Sequence, residues 1–460
     1  MVLLLASVSF SLAQTLVIPA LATIGESVDA SASATSWLLT GFLLSASVAT
    51  PIVGKLGDVF GKGRVLTGVL LVFSVGSVVC ALGDSIGALI AGRVIQGVAG
   101  GVFPLAFGII RDTFPSEKVP VGLGIVSAMF GIGAGIGLPL SGVIVDHVDL
   151  AWLFWISLLA LPAAVAANWL VPEADRAERT RIDWPGAVVL SLALSALLLG
   201  VTQASRWGWG SAATLLLLVG GAALLVVWVP LESRRPQPLI DLRVLRGRAV
   251  AMTNLTGLVM GFAMFAVFLL IPRFALTPES SGYGFGFSGT EAGLILLPSA
   301  IAQLIAGPIA GRLGQHVGFR ATLAGGAGLV ALSSTGLALE HAHVWEVAVA
   351  AAFLGAGISF CFASMANLIV AVVPQSDVGV ATGINAVGRT VGGAFGSAAA
   401  TAIITAGATG ATVVSTEGAY RLAFLLAAGV ALVGLATALM VPAREAADEA
   451  PAESAPAPAV

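Results

Sequence analysis

Charge is what this chain has least of: Asp, Glu, Lys and Arg make up 10% of its 460 residues, against 58% hydrophobic side chains. At a mean hydropathy of +1.01 there is too little polar surface to coat a soluble globule of that length, which excludes a water-soluble domain. The net charge of −3 is carried with the basic residues scattered through short segments, so a nucleic-acid-binding face is excluded as well. Cysteine is nearly absent. Cys80 and Cys361 both sit in apolar runs, where small core filler is the expectation rather than a disulfide or a metal site. The four histidines (His147, His316, His341, His343) fall in loops or at the ends of apolar runs, and no metal or cofactor is expected of them. A phosphate-binding loop is missing, as is any cluster of acids, histidines and a nucleophile at one membrane face. These absences argue against a primary pump and against a membrane enzyme.

What the sequence does have is apolar runs of about 20 residues, the length that crosses a bilayer. Fourteen can be marked, at 2–24, 34–53, 65–83, 86–110, 120–145, 151–171, 184–203, 211–231, 250–272, 290–310, 321–339, 346–372, 380–405 and 420–441. The expected class is an all-α polytopic membrane protein. The first run lacks a basic start and contains Gln14 and Pro19, so it is expected to stay as a span rather than to be cleaved as a signal peptide. Placing the N-terminus inside assigns every loop to one side. Sixteen of the 21 Lys and Arg then fall in cytoplasmic loops, the exceptions being Arg206, Arg273 and Arg421 outside and Arg93 and Arg389 within spans. Adding or removing one span would invert the loops downstream of it, so the basic residues favour fourteen spans with both termini cytoplasmic. No acidic residue falls at a bilayer centre.

An internal repeat divides the chain. Gly54-Lys55-Leu56-Gly57-Asp58-Val59-Phe60-Gly61-Lys62-Gly63-Arg64 follows the second span, and Gly311-Arg312-Leu313-Gly314-Gln315-His316-Val317-Gly318-Phe319-Arg320 repeats its glycine and basic pattern. Two six-span halves related in this way are the plan of a rocking-bundle transporter. The resulting division is a six-helix bundle over 1–171, a linker region with two extra spans over 172–248, a second bundle over 249–441 and a disordered cytoplasmic tail over 442–460.

These residues resemble the major facilitator superfamily and, within it, the fourteen-span drug:proton antiporter group. The resemblance covers nearly the whole chain. The 54–64 loop is similar to the superfamily signature between spans two and three, and Arg93-Val94-Ile95-Gln96-Gly97 to its second motif. Gly133-Ala134-Gly135-Ile136-Gly137-Leu138-Pro139-Leu140-Ser141-Gly142 in span five resembles the antiporter motif. Asn385, Arg389, Gly392 and Gly393 resemble the late signature of the fourteen-span group. The resemblance implies the major facilitator fold, two six-helix bundles plus two extra helices, and export of small amphipathic or hydrophobic compounds by alternating access in exchange for protons. A proton-independent facilitator or importer is the alternative. A small-molecule substrate, protons and the lipid bilayer are the expected partners, and a monomer in the cell membrane the expected state.

Each motif also has a physical reading. Gly54, Asp58, Gly61, Arg64 and Arg111 form the candidate latch: a carboxylate at Asp58 can accept from free amides at a helix start and pair with a cation, a contact worth about 0.3–2 kcal/mol and therefore breakable. The resemblance implies that the helix start is the one near Val380 and that the cation is Arg111; Asp377, at the same start, would compete. Gln315 stands where the second copy would carry its acid, so closure is expected to depend chiefly on the first copy. Arg93, well inside a span, must face partners or a water-filled path; Arg93, Gln96, Gly97 and Arg389 are the candidate coupling and transport-path residues. Gly133, Gly137, Pro139 and Gly142 leave one face of span five without bulk, for close packing and bending. Gln14, Trp37, Asn254, Met260, Met264, Phe265, Phe360, Met365 and Asn385 are the candidate cavity, flexible and flat side chains suiting varied apolar compounds. The chain departs from the family in span one, where Ala13 replaces an aspartate. Without that carboxylate, neutral or weakly charged substrates are expected over strongly cationic ones.

Overall fold

The computed structural model describes residues 1–171, 183–236, 238–407 and 415–442. All of 172–182, and the tail beyond residue 442, therefore lie outside the described residues. Among those described the architecture is all-α. Twelve helices are long and apolar enough to cross a membrane, and the bent pair Val2–Thr15 and Val17–Ser27 makes thirteen. The bend of 53° has a local cause: Pro19 has no N–H for the Thr15 carbonyl, and its ring crowds that carbonyl. The remaining expected span corresponds to Val378–Ala406, a helix of 29 residues that is long enough but fails on composition, because Asn385, Arg389 and a run of glycines dilute its apolar residues. Length and composition thus give thirteen, one short of fourteen.

The repeat recurs as backbone geometry. Gly61, at φ +99°, ends Trp37–Phe60 and starts Lys62–Leu82; Gly318, at φ +90°, does the same between Leu297–Val317 and Phe319–Leu339. Side chains rarely adopt that conformation, so each junction needs its glycine. Two large cores result. Phe42, Leu66, Phe73, Leu105 and Ile110 fill one, and Leu270, Phe274, Leu323, Leu354 and Phe424 the other.

Between the halves in sequence, Trp184–Trp207 and Ala212–Ser233 form a hairpin, with the Trp228 indole donating to the Gly186 carbonyl at 3.1 Å. Its first helix packs against both Trp37–Phe60 and Val378–Ala406, so it lies over the seam between the bundles. Its second helix leaves Leu216 and Val226 more than 70% exposed, as a face turned to lipid requires.

Candidate functional site

The Trp37–Phe60 helix and the start of Val378–Ala406 approach each other through glycines. A Cβ on Gly54 would lie 2.5 Å from the Gly379 carbonyl oxygen, so no larger residue fits without separating the helices. That approach brings Asp58 to the free amides of the partner helix, where its Oδ2 accepts from the Val380 N–H at 3.4 Å. The cation nearest Asp58 is Lys62, not Arg111: Lys62 Nζ lies 3.6 Å from Asp58 Oδ1 and 2.7 Å from Asp112 Oδ2. Gln375 donates to the other Asp112 oxygen at 2.7 Å. Arg111 crosses the seam by a different route, donating to the Val373 carbonyl at 2.7 Å. Asp377 occupies the N-cap position without capping the helix; its carboxylate lies 3.9 Å from Lys55, and burial pushes its carboxyl above the usual range while Lys55 opposes that shift. Arg64 is exposed on the first turn after Gly61.

The second copy of the repeat meets the first bundle in the mirrored way. A Cβ on Gly311 would lie 2.5 Å from the Pro120 carbonyl oxygen at the start of Val119–His147, and Gln315 Nε2 donates to the Glu117 carbonyl at 2.7 Å. The amide that replaces an acid thus makes a neutral crossing contact of its own, which the glycine and charge pattern did not disclose.

Arg93 is fully buried. Its Nε donates to the Leu38 carbonyl at 3.0 Å and its Nη1 to the Ala13 carbonyl at 2.9 Å and to Gln96 Oε1 at 2.8 Å, while its Cζ sits 4.1 Å from the Phe42 ring centroid. Gln96 passes the network to Ser77 at 2.8 Å. Four helices are thereby tied to one guanidinium, and Nη2 is left without an acceptor. Gly97 lies against Ser45 and the Phe42 carbonyl, a close helix approach that only glycine permits here.

The glycines of Val119–His147 serve two faces rather than the one expected. Gly133 and Gly137 lie against Ser11 and Thr15 of the first helix, with the Thr15 hydroxyl donating to the Gly133 carbonyl at 2.5 Å. Gly124, Gly131, Gly135 and Gly142 lie against Gly307, Gln303, Ala300 and Thr290 of the other bundle, and Gly293 against Pro139.

The cavity candidates separate into groups. Asn254, Met365 and Asn385 meet around Arg389: Asn385 Nδ2 donates to Asn254 Oδ1 at 3.1 Å and approaches Met365 Sδ at 3.8 Å, and Arg389 Nη1 donates to Asn385 Oδ1 at 2.6 Å. Met260 and Met264 are fully packed within the second bundle. Phe265 covers Gly393, and Phe360 packs against Gly326. Gln14 and Trp37 are half-buried and away from this group. Sequence reasoning missed the aromatic residues: Arg389 Cζ lies 4.3 Å from the Phe362 centroid, and rings continue through Phe130, Phe103 and Phe10 to Phe42 at centroid spacings of 5.5, 5.7, 6.1 and 5.6 Å. A row of five rings therefore runs between Arg93 and Arg389 and crosses the seam at Phe130 and Phe362. Phenylalanines in separate spans carry no sequence signal that sets them apart from lipid-facing ones.

Comparison with known proteins places this geometry. The family model described as Major Facilitator Superfamily matches residues 3–284 and 274–460. MFS-type transporters of Mycobacterium tuberculosis are 32% identical over 404 residues, covering 84% of this chain and 56% of theirs; the chain spans little more than half their length. The tetracenomycin C resistance and export protein of Streptomyces glaucescens is 29% identical over 385 residues, 82% of this chain and 70% of that protein. Multidrug resistance protein 3 of Bacillus subtilis is 27% identical over 338 residues, 71% of this chain and 64% of that protein. In fold the chain resembles the human organic anion transporter TETRAN, with a TM-score of 0.67 at 15% identity over 95% of this chain and 98% of that one.

Proposed function

Because the chain belongs to the major facilitator superfamily, we propose that it exports small amphipathic or hydrophobic compounds, drugs or metabolites, by alternating access in exchange for protons. It is a membrane transporter of that superfamily and not an enzyme. The observation that carries the proposal is the pair of crossing contacts at one end of the seam. Gly54 on Gly379 with Asp58 on the Val380 amide, and Gly311 on Pro120 with Gln315 on the Glu117 carbonyl, hold the two bundles together through bonds weak enough to break in a transport cycle. On this reading that end is cytoplasmic, the chain has fourteen spans in two bundles (1–171 and 249–441) with the 172–248 hairpin between them, both termini face the cytoplasm, and the protein acts as a monomer in the cell membrane. The printed names of relatives, tetracenomycin C export and multidrug resistance, support export as the direction.

Everted vesicles test the coupling. Addition of an exported compound should dissipate an imposed proton gradient; exchange at a rate indifferent to the gradient would instead identify a facilitator. Asp58→Asn tests the latch. A contact of about 0.3–2 kcal/mol corresponds to a roughly 2- to 30-fold change in the closed population, and resistance of cells expressing the variant should fall within that range. Unchanged export would remove Asp58 from the mechanism.

A further inference from the structure

The interior of the second bundle holds a cation without an anion. Arg389 is half-buried on the Val378–Ala406 helix, and among the described residues it takes part in no ion pair. Its Nη1 is committed to Asn385, which is held in turn by Asn254 and the Thr253 carbonyl. The bond to Asn385 fixes the plane of the guanidinium, and the Phe362 ring covers one face of it. No hydrogen bond among the described residues uses Nε or Nη2. Those two donors form one edge of the guanidinium, whose spacing matches the two oxygens of a carboxylate. Phe362 and half-buried Phe130 meet edge to face at 5.5 Å beside it, one ring from each bundle.

We propose that Arg389 is the anion-recognising residue of the substrate site, and that the preferred substrates are aromatic carboxylic acids in their ionised form. The carboxylate takes the Nε–Nη2 edge and the apolar ring lies against half-buried Phe130, whose neighbour Phe362 is buried beneath the guanidinium. An uncharged aromatic gains only the ring contacts, and a cation of the same shape is repelled by an unneutralised guanidinium in a medium of low dielectric constant. This rests on the export reading above and narrows its substrate class. Because the ring pair straddles the seam, a bound aromatic acid would touch both bundles, as a compound carried by their relative motion must.

Purified full-length protein in lipid nanodiscs, titrated with naphthoate, its methyl ester and naphthylmethylammonium, gives the test. The acid should bind at least about 10-fold more tightly than the ester, the magnitude of one charge-assisted fork, and the ammonium compound most weakly. Arg389→Gln should bring the acid-to-ester ratio to about 1. Arg389→Lys, which keeps the charge but not the fork, should leave an intermediate ratio. Ester and acid binding equally to the parent protein would overturn the inference while leaving the export reading standing. So would displacement of naphthoate by equimolar inorganic phosphate, which would give the edge to a small counter-ion. Binding of none of the three compounds, with no export of them by cells, would count against both.

Discussion

A guanidinium buried in an apolar bundle normally needs an anion, and Arg93 has three neutral oxygens and an aromatic face instead. Two of those oxygens are main-chain carbonyls, of Ala13 near the break in the first span and of Leu38 at the start of the next, so its bonds hold helix ends together. Each hydrogen bond to a charged group contributes about 1.5–3 kcal/mol, and removing the donor leaves buried acceptors unpaired. Arg93→Gln should therefore lower stability by about 2–4 kcal/mol, read as a fall in the unfolding midpoint in detergent, and Arg93→Lys should recover only part of it because one ammonium cannot reach acceptors on three helices. A glutamine variant as stable as the parent but unable to couple substrate to protons would make Arg93 a coupling residue rather than a tie. The residue itself was legible, since an arginine in an apolar run stands out. Its partners were not: backbone carbonyls have no sequence signature, and one already bonded within a helix can still accept a second donor on its other lone pair. Lys62 stands four residues after Asp58, the spacing of a helical ion pair, whereas its shorter contact, to Asp112 fifty residues on, has no signal in the sequence.

At the scale of elements, the Val119–His147 helix shows how much a spacing can hide. Its glycines announce close packing, yet they do not say against what. Gly133 and Gly137 serve a contact within the first bundle, whereas Gly124 and Gly135 serve the seam. Valine at these positions should separate the two roles. Gly133→Val pushes into Ser11 and should cost about 1–3 kcal/mol of stability through overpacking. Gly135→Val pushes into Ala300 across the seam, and should depress export more than it depresses the unfolding midpoint. The same seam can be locked directly. The Thr290 hydroxyl and an Asp146 carboxylate oxygen lie 3.4 Å apart across it, so an Asp146→Cys, Thr290→Cys double variant should crosslink on oxidation, stop export and recover it on reduction. Continued export by the crosslinked protein would mean that this part of the seam does not open.

For the whole molecule, the sequence disclosed two related halves because the repeat depends on glycines that the backbone requires at both junctions, Gly61 and Gly318. The count of spans is where sequence and structure part. Basic residues alternate as fourteen spans require, but Val378–Ala406 is too polar to qualify on composition, because its interior carries Asn385, Arg389 and the glycines that pack on Gly54, Leu258 and Phe262. A helix enclosed by protein has no need of the apolar surface that lipid demands, which is why hydropathy understates it. Cysteine labelling can decide. Cys80 and Cys361 are buried and should stay silent, while Asp84, Ser376 and Thr416 are exposed. With fourteen spans, Asp84→Cys and Thr416→Cys should react with an impermeant maleimide on intact cells, and Ser376→Cys only after permeabilisation. If Ser376→Cys and Thr416→Cys label from the same face, the helix between them does not cross the membrane, and the latch, the Arg389 site and the placement of the second bundle would all have to be drawn again.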